Sequence, residues 1–410
     1  MNAIRRTRLV FLSLVAAMAG FLFGYDTAVI NGGEQQIQQV WGLSGAMHGW
    51  VMSSALWGTV IGALSGGRIT DRFGRKMTLF GSGVLYLVSA VWSGLAIGPW
   101  DLMFARFIGG IGVGVSSIAA PVYIAEIAPA EHRGLFGGLF QLNIVLGMVS
   151  SQFVNWRLGT AGLGDAAWRW MLGAEAFPAF AFTLLCPFLV ESPKWLQLRT
   201  EVAASPETGA AARLFRMRNA KLLFLACSIA AFDQLSGINA VMYFAKRVFE
   251  MAGFSGSRAY AAASLMSVLL GLGTLFGLWL VDRIGRRRLL LIGAIGCVVC
   301  HFATAAAFRC GLGGIAAVAI NGFIVFYAAG QGVVMWVFVS ELFPTALRAQ
   351  GQSSAIFVHW TFAAAITFVF PLMAGSWSPA GIFGLFGGCL MLLVVWAVFL
   401  MPETKGKELE

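Results

Sequence analysis

Charged motifs from the first half of this chain return in the second half at a nearly constant offset. Glu126, Pro129 and Arg133 in EIAPAEHR reappear as Glu341, Pro344 and Arg348 in ELFPTALR, 215 residues on. Asp71, Gly74 and Arg75 in DRFGR recur as Asp282, Gly285 and Arg286 in DRIGR after 211. Gly24-Tyr25-Asp26 is echoed by Gly237-Ile238-Asn239 after 213, and Glu191 by Glu403 after 212. Such echoes at almost one offset imply two structurally equivalent halves rather than one undivided core.

Both halves are built from lipid-compatible segments. Hydrophobic residues make up 59% of the 410 and charged residues 11%, where a soluble domain carries about a quarter charged. About 20 apolar residues cross the hydrocarbon core. Twelve such spans can be drawn: 9–31, 48–69, 77–97, 101–124, 134–156, 168–190, 221–245, 259–281, 289–309, 312–340, 350–374 and 380–401. The expected organisation is a six-helix bundle over 1–190, a cytoplasmic linker over 191–220, a second six-helix bundle over 221–401, and a cytoplasmic tail over 402–410. Within the linker, ETGAAARLF reads as a short surface helix. The repeat covers six helices, an even number, so both halves face the same way in the membrane. Repeats of this kind hold a substrate site at their interface, which makes transport the leading function class for this all-α membrane protein.

The charge pattern orients the chain. Most of the 28 Lys and Arg fall in the termini and in alternate loops; the exceptions are Arg106, Arg157, Arg169, Lys246, Arg247, Arg258 and Arg309. The positive-inside rule then puts both termini in the cytoplasm. Basic charge placed this way is topological and gives no reason to expect a nucleic-acid partner. The start, with Arg5, Arg6 and Arg8 before LVFLSLVAAMA, resembles a signal peptide, but the apolar run continues into GFLFGYDTAVI and reads as an uncleaved first span. Six cysteines sit in or beside apolar runs, including the CxxC of Cys297 and Cys300, and read as free packing thiols. No nucleophile set, metal-ligand set or phosphate loop emerges, so the chain reads as a non-enzyme without cofactor or metal.

Ionisable residues inside the spans are few: Asp26, Arg106, Glu175 and Asp233, with His359 as a titratable companion. Each charge near the bilayer centre costs about 2.5–3.5 kcal/mol even on the lenient insertion scale, so these groups face a cavity or one another. Asp26 on span 1 and Arg106 on span 4 have opposite charge, and Glu175 on span 6 is a second acid available to Arg106. A pair that opens to admit a proton and a static pair that fixes helix packing are both consistent with this pattern.

The loop motifs place Asp71, Arg72, Arg75, Asp282 and Arg286 at the cytoplasmic ends of helices, with Glu126, Arg133, Glu191, Glu341 and Arg348 at corresponding ends. Arg there meets helix C-terminal carbonyls and carboxylates. Positive-inside topology accounts for the basic residues but not for the matched acids. An ion-pair network joining the halves and closing an inward gate accounts for both. A scatter of neutral polar residues remains: Gln141, Gln234, Asn239, Tyr243, Trp336 and Trp360. Singly each reads as interhelical glue. As a set, their amide donors and acceptors and aromatic faces suit the adjacent hydroxyls and C–H groups of a polyol.

In order along the chain, GYDTAVI, GGRITDRFGRK, PVYIAEIAPAEHRG, ESPKWL, DQLSGINAVMYFA, VDRIGRR, SELFPTALR and PETKGKELE resemble the sugar porter branch of the major facilitator superfamily. The resemblance implies twelve helices in two pseudo-symmetric bundles, alternating access and a monosaccharide substrate, pentose or hexose. It implies Gln141, Gln234, Asn239, Tyr243 and Trp336 as sugar ligands, with His359 and Trp360 lining the site. Asp26 stands where proton-coupled members carry Asp and many facilitative members carry Asn, and Arg106 and Glu175 also match the bacterial symporters. The expectation is a monomeric proton–sugar symporter of a bacterial inner membrane, partnered by lipid, sugar and proton. A facilitative uniporter, and more remotely a non-transporting sugar sensor, are the alternatives. The chain departs from the family in four places. Asp233 replaces the first Gln of a Gln-Gln pair, and would add a titratable group to the substrate site. His359 replaces a common amide. Val333 and Met335 replace prolines around Trp336, and the central loop is short.

Overall fold

The computed structural model describes the backbone of residues 3–128, 133–201, 219–344 and 347–405, and the side chains of 8–128, 139–197, 219–344, 347 and 350–405. It divides into two compact units, Met1–Pro206 and Glu207–Glu410. The expected surface helix over ETGAAARLF lies outside the described residues.

The first unit contains α1 (Ala3–Val40), α2 (Gly45–Phe73), α3 (Arg75–Leu95), α4 (Pro99–Ile127), α5 (Arg133–Gly159), α6 (Ala167–Ala174), α7 (Ala176–Leu185) and α8 (Pro193–Glu201). The second contains α9 (Ala220–Leu235), α10 (Ile238–Tyr243), α11 (Ala245–Met251), α12 (Ser257–Ile284), α13 (Arg286–Arg309), α14 (Gly313–Ala329), α15 (Gln331–Leu342), α16 (Arg348–Ser376) and α17 (Pro379–Phe399). With α6–α7, α9–α10 and α14–α15 each counted as one broken rod, every expected span has its helix. Among the described residues, ten of these rods are long and apolar enough to cross a membrane. The other two, α2 and α5, have the length, 29 and 27 residues, and their described parts are more polar. Their polar side chains turn inward: His48, Ser53, Ser54 and Thr59 on α2, and Ser151, Gln152 and Asn155 on α5, are all buried. Outward faces are apolar instead, as at Leu64, Phe104, Phe177, Leu272, Val318 and Phe399.

Helices in lipid lack a hydrophobic drive towards one another and associate by close packing of small residues. On α2 and α4 that packing is reciprocal. A Cβ on Gly58 or Gly62 would strike the carbonyls of Phe107 and Ile111, and one on Gly110 or Gly114 those of Ala55 and Thr59.

Three expected continuous spans are interrupted, and each break has a chemical cause. Pro178 has no N–H to give the Ala174 carbonyl, and the helix breaks at Glu175. Gly237 adopts φ +81° between α9 and α10, a left-handed conformation that costs glycine little. Gly330, between α14 and α15, has backbone so near α13 that an added Cβ would sit 2.7 Å from the Cα of Gly293. The first span also runs on to Val40 rather than ending at Asn31. Its continuation is polar but interior: Asn31 and Glu34 are buried, and Glu34 Oε2 lies 2.9 Å from His48 Nε2.

Candidate functional site

At one end of each unit the same ionic cluster is built twice. In the first, the guanidinium of Arg75 grips Glu126 in two parallel bonds of 3.0 and 2.9 Å, and pairs with Asp71 at 3.1 Å. In the second, Arg286 grips Glu341 at 2.9 and 2.6 Å and meets Asp282 at 3.0 Å. Glu191 and Glu403 play a different part. They accept backbone N–H groups at the start of the following helix, Arg75 at 2.8 Å and Arg286 at 2.9 Å. A helix start leaves such donors unsatisfied, and a carboxylate suits them. The glycines before these helices have φ +89° and +90°, and a Cβ on either would run into the same carboxylates, at 2.7 Å in the case of Gly285. For Glu403, burial pushes its acidity down. Four backbone donors, from Lys405, Arg286, Arg287 and Thr404, outweigh that and hold its carboxyl below the usual range.

The ion pairs described at these clusters are made within each unit. Arg72 stands outside the cluster, exposed, with its guanidinium 5.4 Å from the Phe73 ring. The side chains of Arg133 and Arg348 lie outside the described residues.

Deeper in the first unit, Asp26 on α1 and Arg106 on α4 are both buried. Arg106 Nη1 donates to Asp26 Oδ1 at 2.5 Å and Nη2 to the Asp26 backbone carbonyl at 3.1 Å. Glu175, at the α6–α7 break, is also buried, and its carboxyl is electrostatically coupled to Asp26 and Arg106. The triad has one cation for two buried acids.

Among the described residues, the second unit has no such cation at its centre. Asp233 and Gln234 end α9, and Asn239 follows the Gly237 turn. Gln234 Nε2 donates to Asp233 Oδ2 at 3.1 Å, while its carbonyl accepts Asn239 Nδ2 at 2.5 Å. His359 on α16 lies 3.1 Å from the same amide nitrogen and 3.4 Å from Asp233 Oδ2. Its ring is flanked by Trp336 at 5.1 Å and Trp360 at 5.0 Å between centroids. Trp360 is buried and Trp336 is 45% exposed. Tyr243 sits buried one turn beyond Asn239 on α10. Gln141 is half-buried on α5 in the first unit.

Three contributors had no distinguishing mark in the sequence. Tyr327 on α14 gives its hydroxyl to Asp233 Oδ2 at 3.1 Å. His301 on α13, with Nε2 3.0 Å from the Ser236 carbonyl, ties down the α9–α10 break. Gln331 begins α15, and its buried amide has no partner among the described residues. Each is a polar residue among mostly apolar neighbours in sequence, which alone does not say what it meets.

Comparison with known proteins gives this geometry its family. The family model described as sugar (and other) transporter matches residues 12–211 and 197–410. An arabinose-proton symporter of Bacillus subtilis is 31% identical, over 98% of this chain and 93% of the relative. A D-xylose-proton symporter of Escherichia coli is 31% identical over 97% and 94%. The solved xylose transporter XylE of E. coli, in a partially occluded inward-open conformation, superposes with a TM-score of 0.86 at 28% identity, over 98% of this chain and all of that one. This chain is a membrane transporter, not an enzyme, and belongs to the sugar porter family of the major facilitator superfamily, whose fold has twelve helices in two six-helix bundles.

Proposed function

We propose that the protein imports a monosaccharide, pentose or hexose, by proton symport through alternating access. It would act as a monomer in a bacterial inner membrane, with both termini in the cytoplasm. The observation that carries this reading is the buried triad of Asp26, Arg106 and Glu175. An ionised Asp26 holds Arg106. A proton taken up by Asp26 from outside removes that attraction and leaves Glu175 as the acid that holds the guanidinium, and opening on the inside returns the proton to the cytoplasm. Ionised groups in this setting must be paired or neutralised, so the two arrangements are discrete alternatives.

Gln234, Asn239, Tyr243, Trp336, His359 and Trp360 are the proposed sugar-facing set of the second unit, and Gln141 that of the first. The names of the arabinose and xylose symporters support a pentose, and the glucose transport protein of Synechocystis, 32% identical over 97% of this chain, supports a hexose. The Arg75 and Arg286 clusters are the proposed cytoplasmic gate, opening and closing as preformed blocks. Sugar added to an energised cell suspension should alkalinise the medium, and an uncoupler should abolish accumulation. Accumulation that survives the uncoupler, or equilibration without any alkalinisation, would contradict symport. The second outcome would leave a facilitative uniporter in which Asp26–Arg106 is structural.

A further inference from the structure

Asp233 is the second buried aspartate of this transporter, and its surroundings differ in kind from those of Asp26. It is 1% exposed. Among the described residues no Lys or Arg pairs with it. Oδ2 is approached by the Tyr327 hydroxyl, the Gln234 amide and His359 Nδ1, at 3.1, 3.1 and 3.4 Å. Oδ1 is also buried and has no hydrogen-bond partner among the described residues. A buried carboxylate with an unpartnered oxygen and no cation carries a desolvation cost of several kcal/mol that a bound proton removes.

The elements around α9 bring few other ionisable groups. His359 comes from α16, Tyr327 from α14, and Cys297 and His301 from α13. Tyr243 lies on α10, Glu341 on α15 and Cys389 on α17; α9 itself carries Lys221 and Cys227, α13 also carries Cys300 and, at its two ends, Arg286, Arg287, Arg288 and Arg309, and Glu341 is committed to Arg286. Within this neighbourhood only the Asp233–His359 pair joins an acid and a base in direct reach of the amides.

We propose that Asp233 is a second proton-binding site of this transporter, and that its protonation sets the orientation of the Gln234 amide. The inference rests on the reading of Gln234 and Asn239 as sugar ligands. With Asp233 ionised, Gln234 turns its NH2 towards Oδ2 and its carbonyl towards Asn239, locking both amides to each other. With a proton on Asp233, the acid becomes a donor and gives a hydrogen bond to the Gln234 carbonyl once the amide turns. Asn239 Nδ2 is then released to a sugar hydroxyl. The proton exchanges with whichever side the site faces and stays free to return on the empty carrier, so it tunes sugar affinity without adding to the driving proton, and no covalent bond to the sugar is made or broken.

The test uses the full-length protein in lipid vesicles. Infrared difference spectra taken through a pH titration follow the C=O stretch of protonated carboxyl groups, and equilibrium sugar binding is read by tryptophan fluorescence. The expected result is a carboxyl component retained in Asp26→Asn and lost in Asp233→Gln, a substitution that installs the amide common in the family. With Asp26→Asn in place, sugar affinity should still shift about tenfold over one pH unit at the steepest point. Adding Asp233→Gln should flatten it, and Asp233→Glu should restore the slope. An unchanged carboxyl spectrum in Asp233→Gln overturns the proposal, as does a flat affinity profile in Asp26→Asn. If Asp233→Gln does not fold, Asp233→Asn gives the same two readings. The carboxyl band needs no sugar. Failure of every pentose and hexose to bind would therefore contradict the transport reading separately, while the band still judges Asp233.

Discussion

Arg75 and Arg286 occupy equivalent positions and hold equivalent partners, whereas Asp26 and Asp233, the buried acids deeper in the same two units, share almost nothing. The clusters agree down to the acid that caps the following helix and the left-handed glycine that makes room for it. The buried acids diverge: one has an arginine and a second carboxyl, the other a tyrosine, an amide and a histidine. In the proposed gate, a closure that draws equally on both units rewards symmetry. Coupling a proton to a sugar has no such requirement, and duplication left those positions free to specialise.

The largest effect should come from breaking the match at the clusters. Arg75→Ala leaves Glu126, 9% exposed at its side chain, without its cation, and should cost about 3–5 kcal/mol in thermal or denaturant unfolding. Arg286→Ala should cost less, because Glu341 is 22% exposed and retains the Thr404 hydroxyl at 2.6 Å. Equal losses would mean that burial does not govern the pair. Gly74→Ala and Gly285→Ala come next. Each forces a side chain into backbone space reserved for glycine, at about 1–3 kcal/mol, with a further clash against the capping carboxylate. The two melting temperatures should fall together, and one substitution without effect would break the symmetry.

A smaller change should follow His301→Ala. The Ser236 carbonyl loses its donor at a cost of about 1–3 kcal/mol, and the α9–α10 turn that carries Gln234 and Asn239 loosens. Sugar binding should weaken while the pH dependence of transport keeps its shape; a shifted pH profile would mean that His301 titrates in the cycle. The smallest effect concerns Glu403. Its carboxyl is held below the usual range when folded, so its contribution to stability is present above the unfolded value and is lost as pH falls through the folded one. Unfolding measured from pH about 6 downward should show a slightly steeper acid-side loss in the native protein than in Glu403→Gln. Parallel curves would remove Glu403 from the account.

The helices were legible in the sequence because a lipid-facing rod advertises itself by length and apolarity. The paired loop motifs were legible because they occur twice. What those motifs bind was less so. Glu191 read as a gate ion and Glu403 as its echo; both serve as acceptors for helix-start N–H groups, a role set by backbone geometry rather than charge pattern. Polar interior positions were hardest to read. The Glu34–His48 pair lay past the apparent end of the first span. Tyr327 and His301 look like isolated polar residues until α9 packs against them. Asp26 with Arg106 was readable as a pair because Arg106 is the one cation expected inside the spans for that acid to meet.

The central claim is that the first unit carries the proton that drives sugar uptake. Its most direct measurement is labelled sugar accumulation in vesicles of purified protein under an inward proton gradient, for the native chain and for Asp26→Asn. One proton per sugar and one pH unit should support about tenfold accumulation in the native protein. Asp26→Asn should equilibrate sugar without concentrating it. Equal accumulation by both proteins would contradict the account.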